Sequence, residues 1–167
     1  KQFDDLEFVD LGGGFGIPYE KLNDQPRLDM VELGKQLDEV FEQFVKDYGK
    51  EITFKIEPGR YVSAECGVLL GTVTAVKHNG EDKYIGTDIG FNVLQRPVMY
   101  DSHHDIEVYN DSDNTEDVTV VGNICESGDI LAKHRICPEM HVGDTMAMLD
   151  AGAYGYCMAS NYNNRLR

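Results

Sequence analysis

The sequence predicts two folds in succession: an α/β unit over residues 1–68 and a mostly antiparallel, all-β domain over residues 69–167. The first prediction rests on the order strand, glycine loop, helix, strand, which is the order of a βαβ unit. The second rests on short β-branched runs that recur about every ten residues, a spacing typical of an antiparallel sandwich or barrel. An Asn-Gly pair among these runs is a strong hairpin signal.

The βαβ unit is predicted element by element. Residues 6–11 are an apolar run that predicts a buried strand, which a cluster of glycines ends. Residues 29–48 carry an apolar stripe at helical spacing, with Asp29 as a suitable N-cap and Gly49 just past the end. The stripe consists of Met30, Leu33, Leu37, Val40, Phe41, Phe44, Val45 and Tyr48. Residues 51–56 alternate apolar with polar side chains and predict the second strand.

The all-β region begins with an alternating, β-branched run over residues 71–77, followed by the turn signal His78-Asn79-Gly80. Further strands are predicted near 83–89, 105–110, 117–124, 129–136 and 144–150.

One βαβ unit is too small to be a complete parallel-sheet domain. It has two strands and cannot bury both faces of a sheet, whereas a (β/α)8 barrel takes about 250 residues. We therefore expect residues 1–68 to be the last unit of a larger barrel, whose upstream part is absent from this chain.

Composition excludes several function classes. The net charge of −15 argues against a general nucleic-acid binder, and otherwise fits a solvated acidic surface. The sequence contains no run of 18 apolar residues, so it predicts no membrane-spanning helix. The 4 cysteines form no C-x-x-C pair, so we expect no zinc ribbon, and we expect reduced thiols in a cytoplasmic protein.

Two segments could carry chemistry. The loop Gly12-Gly13-Gly14-Phe15-Gly16 follows a strand, where backbone N–H groups can surround a phosphate, although it matches neither the Rossmann nor the Walker pattern. Glu57-Pro58-Gly59-Arg60 follows the second strand, where a carboxylate can hold a protonated ring nitrogen and an arginine can hold a phosphate or a carboxylate. The alternative for the glycine loop is an ordinary tight turn, and the alternative for Glu57–Arg60 is a surface turn.

These two segments, with three later ones, resemble the fold-type III pyridoxal-phosphate decarboxylases over Phe8 to Asn164. Members of that family pair an alanine-racemase-like (β/α)8 barrel with a C-terminal β domain. The matching motifs are Asp10-Leu-Gly-Gly-Gly-Phe-Gly16, Glu57-Pro-Gly-Arg60, Arg96-Pro-Val-Met-Tyr100, Cys125-Glu-Ser-Gly-Asp129 and Asp150-Ala-Gly-Ala-Tyr-Gly155.

The resemblance implies pyridoxal 5′-phosphate as cofactor and assigns residues to it. Gly13 and Gly14 would offer backbone donors to its phosphate, and the backbone around Gly59 and Arg60 would also approach that phosphate. Glu57 would pair with the pyridine nitrogen and keep it protonated, which makes the ring an electron sink.

The resemblance also implies the substrate contacts. Cys125 would protonate the carbon that loses carbon dioxide, Glu126 would hold the distal ammonium group, and Tyr154 would touch both phosphate and substrate. A second substrate carboxylate would meet Arg60, Arg96 and Tyr100. Cys125 and Glu126 reach the active site across a dimer interface in this family, so a homodimer is implied.

The substrate expectation depends on Glu126. Family members that act on ornithine have aspartate after the cysteine, whereas those that convert meso-2,6-diaminopimelate to L-lysine and CO2 have glutamate, as here. The alternatives are ornithine, arginine or carboxynorspermidine as substrate, or a non-catalytic dimerisation domain.

One departure from the family concerns the lysine that forms the Schiff base with the cofactor. That lysine lies upstream of the matching region, and Lys21, Lys35, Lys46, Lys50 and Lys55 do not lie in its motif. We therefore expect this chain alone to be inactive.

Other candidate residues receive structural interpretations. His103 and His104 are adjacent on a predicted strand and would point to opposite faces, so we expect no metal site there. Cys66, Cys137 and Cys157 are expected to be small buried side chains.

Overall fold

A computed structural model describes residues 3–167. They form two compact units, one from residues up to Pro18 together with Pro26–Val62, the other from Tyr19–Gln25 together with Ser63–Arg167. Compact units need not be domains that fold independently, so the division into residues 1–68 and 69–167 stays a prediction.

The first unit contains the predicted strand, helix and strand. These are β1 (Phe8–Asp10), α1 (Met30–Tyr48) and β2 (Thr53–Lys55), followed by the one-turn helix α2 (Gly59–Ser63). Strands β1 and β2 pair in parallel, from Phe8 opposite Thr53 to Asp10 opposite Lys55. The predicted βαβ order is confirmed, with shorter strands than expected.

Helix α1 begins and ends where the sequence predicts. The Asp29 side chain accepts hydrogen bonds from the backbone N–H groups of Val31 and Glu32, which caps the first turn. Phe41 stacks on Phe54 of β2 with ring centroids 4.0 Å apart. Val40, which belongs to the apolar stripe, is 61% exposed within residues 3–167.

The second unit is built around a six-stranded sheet with the order β5-β8-β3-β4-β6-β7. Its strands are β3 (Leu69–Asn79), β4 (Asp82–Thr87), β5 (Ile106–Tyr109), β6 (Thr115–Val121), β7 (Ile130–Pro138) and β8 (Thr145–Met148). A one-turn helix, α3 (Arg96–Tyr100), precedes β5. Short 3-10 turns cover Lys21–Asn23, Ala64–Cys66, Tyr156–Met158 and Tyr162–Asn164.

The sheet is mostly antiparallel, as predicted, and only β4 and β6 pair in parallel. The outermost strands, β5 and β7, approach each other, so the sheet is nearly closed and barrel-like. The interior is filled by apolar side chains from most of the strands: Val73, Ile85, Leu94, Ile106, Val118, Val120, Leu131, Met140, Met146 and Met148.

The predicted hairpin joins β3 to β4 with a shifted turn. Asn79 pairs with Asp82, so Gly80 is the first of the two central turn residues, with φ at 64°. That is the position a type II′ turn gives to glycine. Among the helices described, none is long and apolar enough to cross a membrane.

Candidate active site

The glycine loop follows β1 and exposes backbone donors. Gly12 and Gly14 have φ values of 70° and 92°, a left-handed conformation that favours glycine. In residues 3–167, no protein group accepts a hydrogen bond from the N–H groups of Gly13 or Gly14. Consecutive free N–H groups on such a backbone suit an anion such as phosphate.

Glu57 lies directly beside this loop. Its N–H donates to the Gly12 carbonyl oxygen at 2.8 Å, which joins the carboxyl ends of the two parallel strands. A Cβ atom at Gly13 would lie 2.5 Å from the Glu57 carbonyl oxygen, so only glycine fits there. The Gly59 N–H donates back to the Glu57 carbonyl oxygen at 2.8 Å, and Arg60 follows within α2. Five of the predicted cofactor residues therefore adjoin the carboxyl ends of these two strands.

Cys125 and Glu126 occupy the turn between β6 and β7, and both are exposed. The Asp129 side chain holds this turn through hydrogen bonds to the backbone. It is 3% exposed, and its carboxylate accepts from the N–H groups of Ile124 at 2.8 Å and Phe91 at 2.7 Å. Burial raises the pKa of Asp129, which these two backbone hydrogen bonds oppose.

The same turn lies beside helix α3. A Cβ atom at Gly128 would be 4.0 Å from a methyl carbon of Val98, in the middle of α3. Arg96 and Tyr100 lie at the two ends of that helix. Tyr100 is exposed, whereas Arg96 is only 5% exposed.

Arg96 is held by two neighbours. Its guanidinium carbon lies 4.6 Å from the centre of the Tyr19 ring, and its Nη1 lies 3.3 Å from Nε2 of His104. Burial lowers the pKa of His104, so the ring is neutral at pH 7 and can accept from the arginine.

Tyr154 lies in the loop after β8 with an unusual backbone. Both Asp150 and Tyr154 have positive φ values, 57° and 63°, which is rare for residues other than glycine and is frequent at functional sites. Asp150 is buried and accepts from Lys21 Nζ at 2.5 Å. Tyr154 itself is exposed.

Two sequence interpretations need correction. His103 and His104 lie in the loop before β5, not on a strand. They nevertheless have different partners, since His103 contacts Asp105 and Arg135 while His104 contacts Arg96.

Of the three cysteines expected to be buried, only Cys137 is; burial raises the pKa of its thiol to about 11. Cys66 and Cys157 are exposed, because they lie in short 3-10 turns outside the sheet.

Comparison with known proteins identifies the family. A family model described as the C-terminal sheet domain of pyridoxal-dependent decarboxylases matches residues 28–152. The chain belongs to this decarboxylase family.

Several similar proteins are diaminopimelate decarboxylases. A diaminopimelate decarboxylase of Archaeoglobus fulgidus is 45% identical over 98% of the chain, and one of Methanothermobacter thermautotrophicus is 40% identical over 98%. The chain spans 38% of the length of each. Crystal structures of diaminopimelate decarboxylase from M. jannaschii, one in co-complex with L-lysine, superpose with a TM-score of 0.86 at 37% identity, over 95% of this chain and 36% of theirs.

Three residues that shape the candidate site had no assigned role from sequence. Asp129 closes the cysteine motif, and the flanking glycines at 122 and 128 were a usable signal of a tight turn around it. Tyr19 and His104 are 85 residues apart in the sequence, and no local pattern links either of them to Arg96.

Proposed function

We propose that this chain is the C-terminal part of a pyridoxal-phosphate-dependent enzyme that converts meso-2,6-diaminopimelate to L-lysine and CO2. The observation that carries the proposal is the exposed Cys125–Glu126 pair in a turn fixed by Asp129 beside the helix of Arg96 and Tyr100. The similarity to diaminopimelate decarboxylases over nearly the whole chain supports it.

The first unit is proposed to be the last βαβ unit of an alanine-racemase-like (β/α)8 barrel. Catalytic groups in such barrels lie at the carboxyl ends of the strands, and the glycine loop and Glu57 lie at the carboxyl ends of β1 and β2.

The residues at this edge fit pyridoxal 5′-phosphate. The free N–H groups of Gly13 and Gly14 would hold the phosphate, and the backbone of Gly59 and Arg60 would approach it from the second strand. Within residues 3–167 the Glu57 carboxylate has no hydrogen-bond or ion-pair partner, so it can accept a hydrogen bond from a protonated ring nitrogen. The chemistry supplied by the bound cofactor is the uptake of the electron pair left when CO2 departs.

The second unit would bind and protonate the substrate. Cys125 would deliver a proton to the carbon that has lost its carboxylate, and Glu126 would hold the ammonium group of the other amino-acid centre. The carboxylate of that centre would be bound by Arg60, Arg96 and Tyr100. Tyr154 would contact both phosphate and substrate, and its own φ of 63° is in the left-handed region.

We further propose that this chain needs an upstream segment and a second copy. Two of its lysines are engaged within their own units: Lys55 Nζ lies 3.7 Å from the centre of the Phe8 ring, and Lys21 pairs with Glu65 and Asp150. The cofactor lysine would lie in the upstream segment, so the chain alone would be inactive. Cys125 and Glu126 would serve the partner's site in a homodimer.

The test is CO2 release by the full-length protein that contains this chain, with pyridoxal phosphate added. We would offer meso-diaminopimelate and L-ornithine in parallel assays. Release from meso-diaminopimelate alone is the expected result. Release from ornithine alone would overturn the role of Glu126 in substrate choice, and no release from either would overturn the proposed activity.

A further inference from the structure

Arg96 is unusually constrained for a residue expected to bind substrate. It is 5% exposed, its guanidinium lies over the Tyr19 ring at 4.6 Å, and its Nη1 approaches Nε2 of His104 at 3.3 Å. The Tyr19 and His104 rings also pack edge to face, with centroids 5.2 Å apart. The three side chains form one packed group, which we call the arginine clamp.

The tautomer of His104 follows from its other contact. Its Nδ1 lies 2.7 Å from the Leu149 carbonyl oxygen, which can only accept, so Nδ1 carries the proton. In a neutral ring Nε2 is then an acceptor, and it faces a guanidinium that can only donate. The ring is 0% exposed, so no water substitutes for either partner.

The rest of the guanidinium remains available. Within residues 3–167, no protein group accepts a hydrogen bond from its Nε or Nη2, and neither nitrogen is fully buried. One edge of Arg96 is therefore fixed by His104, one face by Tyr19, and the remaining donors can bind a carboxylate in a fork.

We propose that His104 is a positioning residue: it fixes Arg96 through the Nε2 hydrogen bond, so that the free guanidinium edge binds the carboxylate retained in the product. This inference rests on the proposed function, because it assumes that Arg96 binds the distal amino-acid centre. A clamp remote from the reacting carbon acts on substrate and transition state alike, so its loss should raise KM and leave kcat nearly unchanged.

Two variants separate the hydrogen bonds from the packing. His104→Phe keeps a ring beside Tyr19 and removes both hydrogen bonds. His104→Gln keeps one donor and one acceptor on a side chain of similar reach. His78→Gln, at an exposed position of β3, is the matched control. Circular dichroism of each full-length variant, loaded with pyridoxal phosphate, would establish that it folds.

Binding of L-lysine, measured by calorimetry, is the readout that does not depend on activity. L-lysine retains the carboxylate assigned to Arg96. We expect His104→Phe to weaken its binding about tenfold or more, and to raise the KM for meso-diaminopimelate by a similar factor. We expect His104→Gln and His78→Gln to stay within about threefold of the wild type.

A double-mutant cycle tests whether His104 acts through Arg96. In an Arg96→Met background, His104→Phe should cause no further loss of L-lysine affinity, because the clamped group is already absent. Three results would each overturn the inference. The first is an L-lysine affinity in His104→Phe equal to that of the wild type, and the second is a loss in His104→Gln as large as that in His104→Phe. The third is a loss in the double variant equal to the sum of the two single losses in binding free energy. If the wild type bound no L-lysine and released no CO2 from meso-diaminopimelate, the proposed function would fail first, and this inference with it.

Discussion

Replacing Asp129 with asparagine should loosen the turn that carries Cys125 and Glu126 while leaving its shape nearly unchanged. The carboxylate accepts from two N–H groups, the buried one of Ile124 and the partly buried one of Phe91. Asparagine has one acceptor oxygen, so its NH2 group would face one of these donors and leave it without a partner.

The magnitude follows from that single unsatisfied donor. A buried N–H without an acceptor costs about 1–3 kcal/mol, which corresponds to a roughly 5- to 150-fold change in an opening equilibrium. Burial raises the pKa of Asp129, so part of its hydrogen-bond energy already offsets the desolvation of its own charge. The expected change therefore lies in the lower half of that range.

Hydrogen–deuterium exchange of the full-length protein measures this opening directly. Peptides covering residues 122–130 should exchange faster in Asp129→Asn. Asp113→Asn, at an exposed aspartate in another turn, should exchange like the wild type. If Asp129→Asn also exchanged like the wild type, Asp129 would not be what holds the turn.

Two further predictions concern the glycine loop and His104. Gly13→Ala should weaken pyridoxal phosphate binding about tenfold or more, because its Cβ would lie 2.5 Å from the Glu57 carbonyl oxygen. Gly16→Ala is the control, since a Cβ there meets no atom within 4 Å, and it should bind the cofactor normally. Equilibrium dialysis measures both affinities. Equal affinities of the two variants for pyridoxal phosphate would contradict close packing of Gly13 against Glu57. The pKa of His104 is lowered from 6.5 by burial, so the unfolded chain takes up its proton first, and stability is lost as pH falls below about 6.5. His104→Gln should reduce the shift in urea midpoint between about pH 7.5 and about pH 5.5, and an unchanged shift would contradict it.

The sequence predicted the elements whose signals are local. The apolar period and the caps at Asp29 and Gly49 define helix α1 without any tertiary information. The strands of the sheet were likewise located by alternation and turn residues. The exposure of Val40 was not predictable, because periodicity describes a face of the helix and not the area that a neighbouring element covers.

Pairing and packing over long distances were not predictable in this way. No local pattern specifies that β4 pairs in parallel with β6, or that residues 19–25 pack with the later sheet and bring Tyr19 under Arg96. The one-turn helices α2 and α3 are too short for periodicity to register. Site residues were assigned by motif resemblance, which names side chains but not the partners that orient them.

The most direct test of the account is CO2 release from meso-diaminopimelate by the full-length protein and its Cys125→Ala variant. Cys157→Ala is the matched control, since Cys157 is also exposed and free. The account predicts that Cys125→Ala loses most of the activity while Cys157→Ala keeps it, because the proposed role of the Cys125 thiol is to supply the proton that completes the reaction. A Cys125→Ala enzyme as active as the wild type would contradict the claim that this chain contributes to catalysis.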